Sequence, residues 1–220
     1  METIKKSTLD FLTSIKYNNN RDWFIGNRPT YLDAKDNFES FVQEIINNLI
    51  VIEPIMKGLE AKSCVFRINR DIRFSNDKSP YKSHFGAFIV QGGKKNVDRF
   101  AGYYFHIEPG KSMMAGGAYT PPGPWLSAIR EKISDNADEF IKIIHTKDFI
   151  KYFRSIDGEK LKTVPKGYSK DHPNIELLKY KSYLVVNEAA DKLVLGNNFM
   201  DHVINAFKAM KPLNEYLNNY

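Results

Sequence analysis

A dense set of ionisable side chains lies between residues 66 and 88, in the sequence FRINRDIRFSNDKSPYKSHFGAF. Cationic groups outnumber carboxylates in this stretch, which contains Arg67, Arg70, Arg73, Lys78, Lys82, the acids Asp71 and Asp77, and His84. An excess of positive charge is costly to remove from water unless an anion neutralises it. The segment therefore predicts an anion-binding pocket, in which the anion would be held by Arg67, Arg70, Arg73, Lys78 and Lys82.

The same stretch contains groups that could transfer a proton beside a bound anion. Asp71 or His84 would serve as the general base, and Tyr81 would donate a hydrogen bond. These residue types at one place suggest an enzyme that acts on a phosphorylated or carboxylated small molecule. The spacing does not specify a reaction, and we expect no cofactor.

Charge-rich segments also stabilise folds without binding a ligand. A guanidinium group pairs with a carboxylate through two parallel hydrogen bonds, so that Arg67, Asp71 and Arg73 could form a closed network that pins the turn after them. The protein would then be a non-catalytic structural or interaction module. The residue types alone leave this alternative as open as the anion pocket.

A second candidate set lies in the sequence YYFHIEP, at residues 103–109. Tyr104, His106 and Glu108 alternate, so they would share one face of a strand. A histidine and a carboxylate at this spacing can reach the same substrate or metal ion, and His84 would complete a set of two histidines and one carboxylate. Two strand residues do not make a metal site, so we expect a polar sheet face and no bound metal.

One short motif imitates a phosphate-binding loop. Gly110-Lys111-Ser112 matches the end of a P-loop, but the position where that motif needs its first glycine is Phe105. The sequence MMAGGAY that follows is not typical of a helix, whose N-terminus is what binds phosphate in such loops. A hairpin turn is the better interpretation.

The overall composition limits the possible partners. The 220 residues include 32 basic and 26 acidic side chains, which give a net charge of +6. This balance permits an anionic partner without requiring one. Acidic residues are spread along the chain and no nucleic-acid-binding motif is visible, so weak nucleic-acid binding is the less favoured alternative.

Cysteine usage and hydropathy bear on the compartment. Cys64 is the single cysteine, so no internal disulfide can form, which suits a reducing environment. The N-terminal sequence METIKKSTLDFL lacks the apolar core of a signal peptide, and no apolar run is long enough to span a membrane. We therefore expect a cytoplasmic protein with no membrane partner.

Hydrophobic periodicity predicts helices at both ends of the chain. Ser7 or Thr8 would cap a short first helix, and a longer helix would follow Pro29, with apolar residues three and four apart up to Leu49. Further helices are expected from Pro124 onward and over residues 198–210. Strands are predicted at 64–69, 85–91, 100–108, 112–118 and 181–186, where Phe, Tyr, Ile and Val are frequent.

This arrangement predicts the fold class. Adjacent strands joined by short turns are antiparallel. Helices, then clustered antiparallel strands, then helices are typical of an α+β fold. We therefore expect a single domain over residues 1–220, with a central antiparallel sheet and helices from both chain ends packed around it.

The position of Arg70 depends on where the first strand ends. If residues 65–74 form one continuous strand, Arg70 lies on its apolar face and needs a carboxylate partner, for which the candidates are Glu108 and Asp77. If the strand ends near Asn69, Arg70 begins a turn with its head in solvent or in the cleft. The turn-rich sequence RFSNDKSP favours the second arrangement. Three side chains are then expected to converge on one anion: Arg70, Arg73 and Lys78.

The charged motif also carries a resemblance. The string Arg67-x-x-Arg70-Asp71-x-Arg73-Phe74, followed by Asp77-Lys78-x-x-Tyr81, resembles the signature of the bacterial family catalogued as domain of unknown function number 2461. The stretches NNNRDWFIGNRPTY, FHIEPG and PKGYSKDHP resemble its other characteristic segments, so the resemblance covers nearly the whole chain. It implies a bacterial cytosolic protein with a shared charged motif, and it implies no particular reaction.

Overall fold

A computed structural model describes residues 2–219. Within this range the strands are β1 (Phe85–Ile89), β2 (Gly102–Ile107), β3 (Ser112–Ala118) and β4 (Tyr183–Ala189), and they form an antiparallel sheet in the order β1-β2-β3-β4. The ten α-helices in the described residues are α1 (Lys6–Tyr17), α2 (Arg21–Gly26), α3 (Arg28–Ile50), α4 (Ala61–Cys64), α5 (Gly123–Asp135), α6 (Asp138–Ile144), α7 (Lys147–Tyr152), α8 (Ile175–Leu178), α9 (Asp191–Val194) and α10 (Phe199–Asn218). The predicted α+β class is confirmed.

The chain divides into two compact units. Unit 1 combines the described residues up to Lys94 with Tyr104–Met114 and Glu188–Ile204. Unit 2 combines Lys95–Tyr103, Ala115–Asn187 and the described residues from Asn205 onward. The single domain expected from the sequence stays a prediction. No helix in residues 2–219 is both long enough and apolar enough to cross a membrane.

The core of unit 1 is built on the apolar face of α3. Apolar side chains three and four residues apart form a stripe along the helix, and the buried ones are Ala34, Phe38, Phe41, Val42, Ile45, Ile46 and Leu49. The Phe38 ring lies 5.3 Å from that of Phe85 on β1 and 5.6 Å from that of Phe105 on β2. Because side chains alternate along a strand, Gly86, Tyr104 and His106 face away from α3.

The predicted strand at 64–69 is wrong. Cys64 ends helix α4, and the following residues are extended but pair only at two isolated bridges, Val65 with Ala87 and Asn69 with Tyr81. The alternation of apolar and polar residues was correct for burial, since Val65 and Ile68 are buried. The alternation could not show that the paired segment, residues 81–87, loses its register between the two bridges.

The loss of register is a bulge around Ser83 and His84. Four residue steps separate Val65 from Asn69, whereas six separate Tyr81 from Ala87. The second segment therefore carries two extra residues. The backbone bonds on either side are Lys82 N–H to the Ile68 carbonyl at 2.8 Å and Phe66 N–H to the Gly86 carbonyl at 2.9 Å. Bulges bend a strand and redirect its side chains.

Unit 2 has its own aromatic core. The Trp125 indole of α5 is buried and its Nε1–H donates to the Leu217 carbonyl at 2.9 Å. Phe140 of α6 meets the Tyr183 ring edge-on, with the ring centroids 5.9 Å apart. Gly117 of β3 has a φ of +104°, and a Cβ there would lie 2.2 Å from the Tyr183 carbonyl oxygen, so the residue must be glycine for β4 to approach.

Two predicted helix boundaries need correction. Helix α1 begins at Lys6, so Ser7 and Thr8 lie in its first turn rather than at its cap. The last helix continues through Pro212 to Asn218, eight residues beyond the predicted end at residue 210. The helix continues because the apolar residues beyond the proline are buried, namely Leu213, Tyr216 and Leu217.

Asn37 of α3 joins the start of the chain to the core of unit 1. This side chain is 5% exposed. Its Oδ1 accepts from the Lys5 backbone N–H at 2.9 Å and from the Thr8 hydroxyl at 2.7 Å, and its Nδ2 donates to the Thr3 carbonyl at 2.8 Å. Asn37 therefore satisfies three polar groups at the start of α1, which has no side-chain cap of its own.

We expect Asn37→Ala to lower the free energy of unfolding by about 2–4 kcal/mol, since buried polar groups without a partner cost about 1–3 kcal/mol each. Urea denaturation measures the difference. Asn48→Ala is the matched control, because Asn48 is exposed on the same helix and bonds only the Glu44 carbonyl. Equal effects from the two variants would contradict this role for Asn37.

Candidate functional site

A hydrogen-bonded chain of three side chains lies on the face of β2 that points away from α3. The Tyr104 hydroxyl is 2.9 Å from His106 Nδ1, and His106 Nε2 is 3.2 Å from Glu108 Oε2. The His106 side chain is 7% exposed and that of Glu108 is 19% exposed. The strand places the three residues in line, as their alternation in the sequence predicts.

The turn after β2 fixes Glu108. Its carbonyl accepts from the Lys111 N–H at 2.9 Å, and Gly110 has a φ of +75°, which suits a type II turn with Pro109 before it. The Ser112 hydroxyl donates to the same carbonyl at 3.0 Å. The segment that resembles a P-loop, Gly110-Lys111-Ser112, is thus part of the hairpin turn between β2 and β3, as predicted.

His84 and Ser83 approach this chain from the bulge beside β1. The His84 ring stacks on the His106 ring, with the centroids 4.4 Å apart. The Ser83 hydroxyl donates to Glu108 Oε1 at 3.3 Å. The bulge therefore brings a second imidazole to the first, and Ser83 to the carboxylate.

Gly86 of β1 makes room for this arrangement. A Cβ at Gly86 would lie 2.8 Å from the Tyr104 hydroxyl oxygen, which is too close without movement. The missing side chain lets the Tyr104 ring lie across β1 and reach His106. Tyr104 then fixes one nitrogen of the His106 ring, which leaves the other directed at Glu108.

Burial keeps both imidazoles uncharged at neutral pH. Burial, and then the neighbouring His106, lower the pKa of His84 to about 4, while Glu108 opposes the shift. Burial also lowers the pKa of His106, although the hydrogen bond that Glu108 accepts from it opposes this shift. Neutral imidazole is the form that accepts a proton or binds a metal ion.

The charged loop pairs several of its own residues. Arg73 binds Asp71 with two hydrogen bonds, of 2.9 and 2.7 Å, and both side chains are well exposed. Lys78 donates to the Ile72 carbonyl at 3.1 Å. Arg70 forms an ion pair with Asp77, one of the two partners considered from the sequence.

A cleft of about 310 Å³ lies beside this loop in unit 1. Its lining consists of Lys16, Asn19, Arg70, Asp77, Ser79, Tyr81, Lys82, Ser83 and His84. Of the residues that the sequence singled out, the structure brings Arg70, Lys82, Tyr81 and His84 to the cleft. Arg67, Asp71, Arg73 and Lys78 are not part of its lining.

Arg70 begins the turn, as the favoured arrangement predicted. Its backbone N–H donates to the Pro80 carbonyl at 2.9 Å, one residue after the bridge at Asn69. Its guanidinium group contacts Asp77 and lies 3.4 Å from the Ser75 hydroxyl. The structure does not show the expected convergence of Arg70 with Arg73 and Lys78 at the cleft. Arg73 is bonded to Asp71, and Lys78 is bonded to the Ile72 carbonyl.

Lys82 has an unusual environment for an ammonium group. Nζ donates to the Arg67 carbonyl at 3.0 Å and lies 5.5 Å from the centre of the Phe66 ring. Burial lowers the pKa of Lys82, and the charge of Arg67 lowers it further. In the part of the chain that the structure describes, Lys16, Arg67 and Lys82 form no ion pair.

Sequence reasoning missed five residues of the site, and Ser79 is one of them. Asn19 pairs with the backbone of Tyr81 through two bonds, 2.9 and 3.0 Å long. No pattern in the sequence pointed to Lys16, Ser83 or Gly86. Only Asn19 stood in a noticeable pattern, the three consecutive asparagines, which suggest a turn rather than a contact with a residue 62 positions away.

Ser79 is the main stabiliser of the charged form of Asp77. The Ser79 hydroxyl and backbone N–H donate to Asp77 Oδ1 at 2.6 and 2.9 Å. These two bonds, and then the one from Arg70, lower the pKa of Asp77 from 3.8 to about 2. The ionised carboxylate thus favours the folded state above pH 3.8, and this contribution is lost as the pH falls through about 2.

We expect Ser79→Ala to raise the pKa of Asp77 toward 3.8, because the largest of the three causes is removed while the backbone N–H and Arg70 remain. The carbon chemical shift of the carboxyl group in a pH titration measures this value. Ser75→Ala is the control, since Ser75 contacts Arg70 and not Asp77. An unchanged pKa in Ser79→Ala would refute the assignment.

Comparison with known proteins places nearly the whole chain in one family. No curated protein and no solved structure matches it. The family model described as "Conserved hypothetical protein (DUF2461)" matches residues 7–216, which include the charged loop, the bulge and β2. The resemblance seen in the charged motif is therefore confirmed over nearly the full length, and the chain belongs to the family of conserved hypothetical proteins DUF2461.

Proposed function

We propose that the cleft of unit 1 binds a small phosphorylated or carboxylated molecule. The observation that carries this proposal is the charge of the cleft lining, where Lys16, Arg70 and Lys82 accompany a single carboxylate, Asp77. Asp77 is already bonded to Arg70 and Ser79, so it does not compensate Lys82. An anion in the cleft would compensate the charge of Lys82.

Lys82 would be the main anchor of that anion. A partly buried ammonium group is costly unless a counter-charge offsets its lost hydration. The Arg67 carbonyl and the Phe66 ring supply partial compensation, and the nearby Arg67 charge increases the cost. Binding an anion beside Nζ would relieve this cost, and a hydrogen bond to a charged group contributes about 1.5–3 kcal/mol.

Arg70 would give the site its orientation. Asp77 and Ser75 hold the guanidinium group at the cleft while its side chain remains 25% exposed. A planar fork fixed in this way can offer its remaining donors to a phosphate or carboxylate. Lys16, on the exposed side of α1, would add charge without a fixed geometry.

His84 would be the group that reacts with the bound molecule, if the protein is an enzyme. It lines the same cleft and is uncharged at neutral pH, so it can accept a proton. Tyr81 lines the cleft as well, whereas Asp71 is held by Arg73 in the exposed loop. We therefore assign the role of general base to His84 in preference to Asp71.

A structural role for the charged loop is the second candidate. The Arg70–Asp77 and Arg73–Asp71 pairs favour it, because they satisfy two of the loop's arginines internally. Exposed pairs of this kind contribute little to stability, however. They also leave Lys82 uncompensated, and this is why we place the anion-binding function first.

We expect phosphate or a phosphorylated or carboxylated metabolite to raise the melting temperature of the protein, and Lys82→Met to weaken its affinity at least about tenfold. Methionine keeps the aliphatic packing of the side chain and removes the charge. Calorimetric titration measures the affinity. Lys78→Met is the matched control, since Lys78 is an exposed lysine of the same loop that does not line the cleft.

Two results would contradict the proposal. One is the absence of any stabilisation across a library of small anions and nucleotides at low salt. The other is an equal loss of affinity in Lys82→Met and Lys78→Met, which would indicate general attraction by a basic surface rather than a site. The first result would favour the structural role of the loop.

A further inference from the structure

We propose that His84, His106 and Glu108 form a binding site for a divalent transition-metal ion such as Zn²⁺ or Fe²⁺. This inference shares His84 with the cleft, but it needs neither an anion nor the cations Lys82 and Arg70. A His84 ring bound to the metal ion would be a ligand rather than the general base. The sequence alone favoured a plain polar sheet face, because it could not show that the bulge carries His84 to the other two residues.

The three side chains have the spacing that a metal ion requires. One potential ligand atom from each residue lies within 4.8 Å of the other two. Ligands about 2.0–2.2 Å from one metal ion lie roughly 3 Å from each other. His106 Nε2 and Glu108 Oε2, at 3.2 Å, already have this separation. Metal binding would require the His84 nitrogen to move closer to the other two ligand atoms.

Neighbouring groups orient two of the ligands. Tyr104 bonds His106 Nδ1, so Nε2 is the nitrogen directed at Glu108, and a metal ion would replace the hydrogen bond between Nε2 and Glu108 Oε2. Ser83 bonds Glu108 Oε1 and leaves Oε2 for the metal. Metal-binding histidines and carboxylates are usually held by such outer hydrogen bonds, which fix the tautomer and the ring orientation.

His84 is the residue that a polar sheet face does not explain. Tyr104, His106 and Glu108 satisfy one another without it. His84 is stacked on His106 and partly buried, and neither of its ring nitrogens has a hydrogen-bond partner within residues 2–219. A partly buried imidazole with no protein hydrogen bond has lost part of its hydration, and a metal ion bound to its nitrogen would offset that loss.

The ligand set indicates the class of metal. Two imidazoles and one carboxylate suit Zn²⁺, Fe²⁺ and similar ions, rather than Mg²⁺ or Ca²⁺, which prefer oxygen ligands. Three protein ligands leave coordination positions for water or a substrate. His84 also lines the cleft, so these open positions would be accessible from it.

Titration of untagged, chelator-treated protein with Co²⁺ and with Zn²⁺ alone, in the absence of any anion other than chloride, tests the site. We expect one equivalent to bind, with a Co²⁺ absorption spectrum typical of nitrogen and oxygen ligands. His84→Ala should weaken binding at least about 100-fold. Tyr104→Phe should weaken it about 10- to 100-fold, as is usual for an outer-shell partner.

His172→Ala is the matched control, because His172 is a histidine of unit 2 that bonds Ser134. Circular dichroism must show that each variant is folded, and His84→Ala leaves the Tyr104–His106–Glu108 chain in place. The proposal is overturned if the wild-type protein binds neither ion, or if His84→Ala binds both as tightly as His172→Ala does. Neither outcome would bear on anion binding by Lys82 and Arg70.

Discussion

The packing of Phe38 against Phe85 and Phe105 is the interaction on which the site depends. It fixes one face of β1 and β2 on helix α3, and the pleat then turns Gly86, Tyr104 and His106 to the other face. A hydrophobic contact thereby determines where the ionisable groups meet. If the register of β2 moved by one residue, His106 would enter the aromatic core and Phe105 would replace it in the site.

The second constraint is the bulge between the two isolated bridges. Two extra residues on one side remove Ser83 and His84 from regular pairing and direct them at β2. The segment before it is then too irregular to be a strand. The failed strand prediction at 64–69 and the approach of His84 to His106 thus have the same physical origin.

Local patterns predicted much of this structure. Period-two alternation placed Tyr104, His106 and Glu108 together, and the turn-rich stretch after Arg73 placed Arg70 at the start of a turn. What could not be predicted depends on contacts distant in the chain. Asn19 binds the backbone of Tyr81, and only the folded structure shows that Gly86 lies under the ring of Tyr104.

The central claim is that an anion binds between Lys82 and Arg70. Crystals soaked in tungstate, a heavy phosphate analogue, test it most directly through the anomalous scattering of the metal. We predict a peak in the cleft, with the oxyanion in hydrogen-bond contact with Lys82 Nζ and the Arg70 guanidinium group. Tungstate bound at other basic surfaces, with none in this cleft, would contradict the claim.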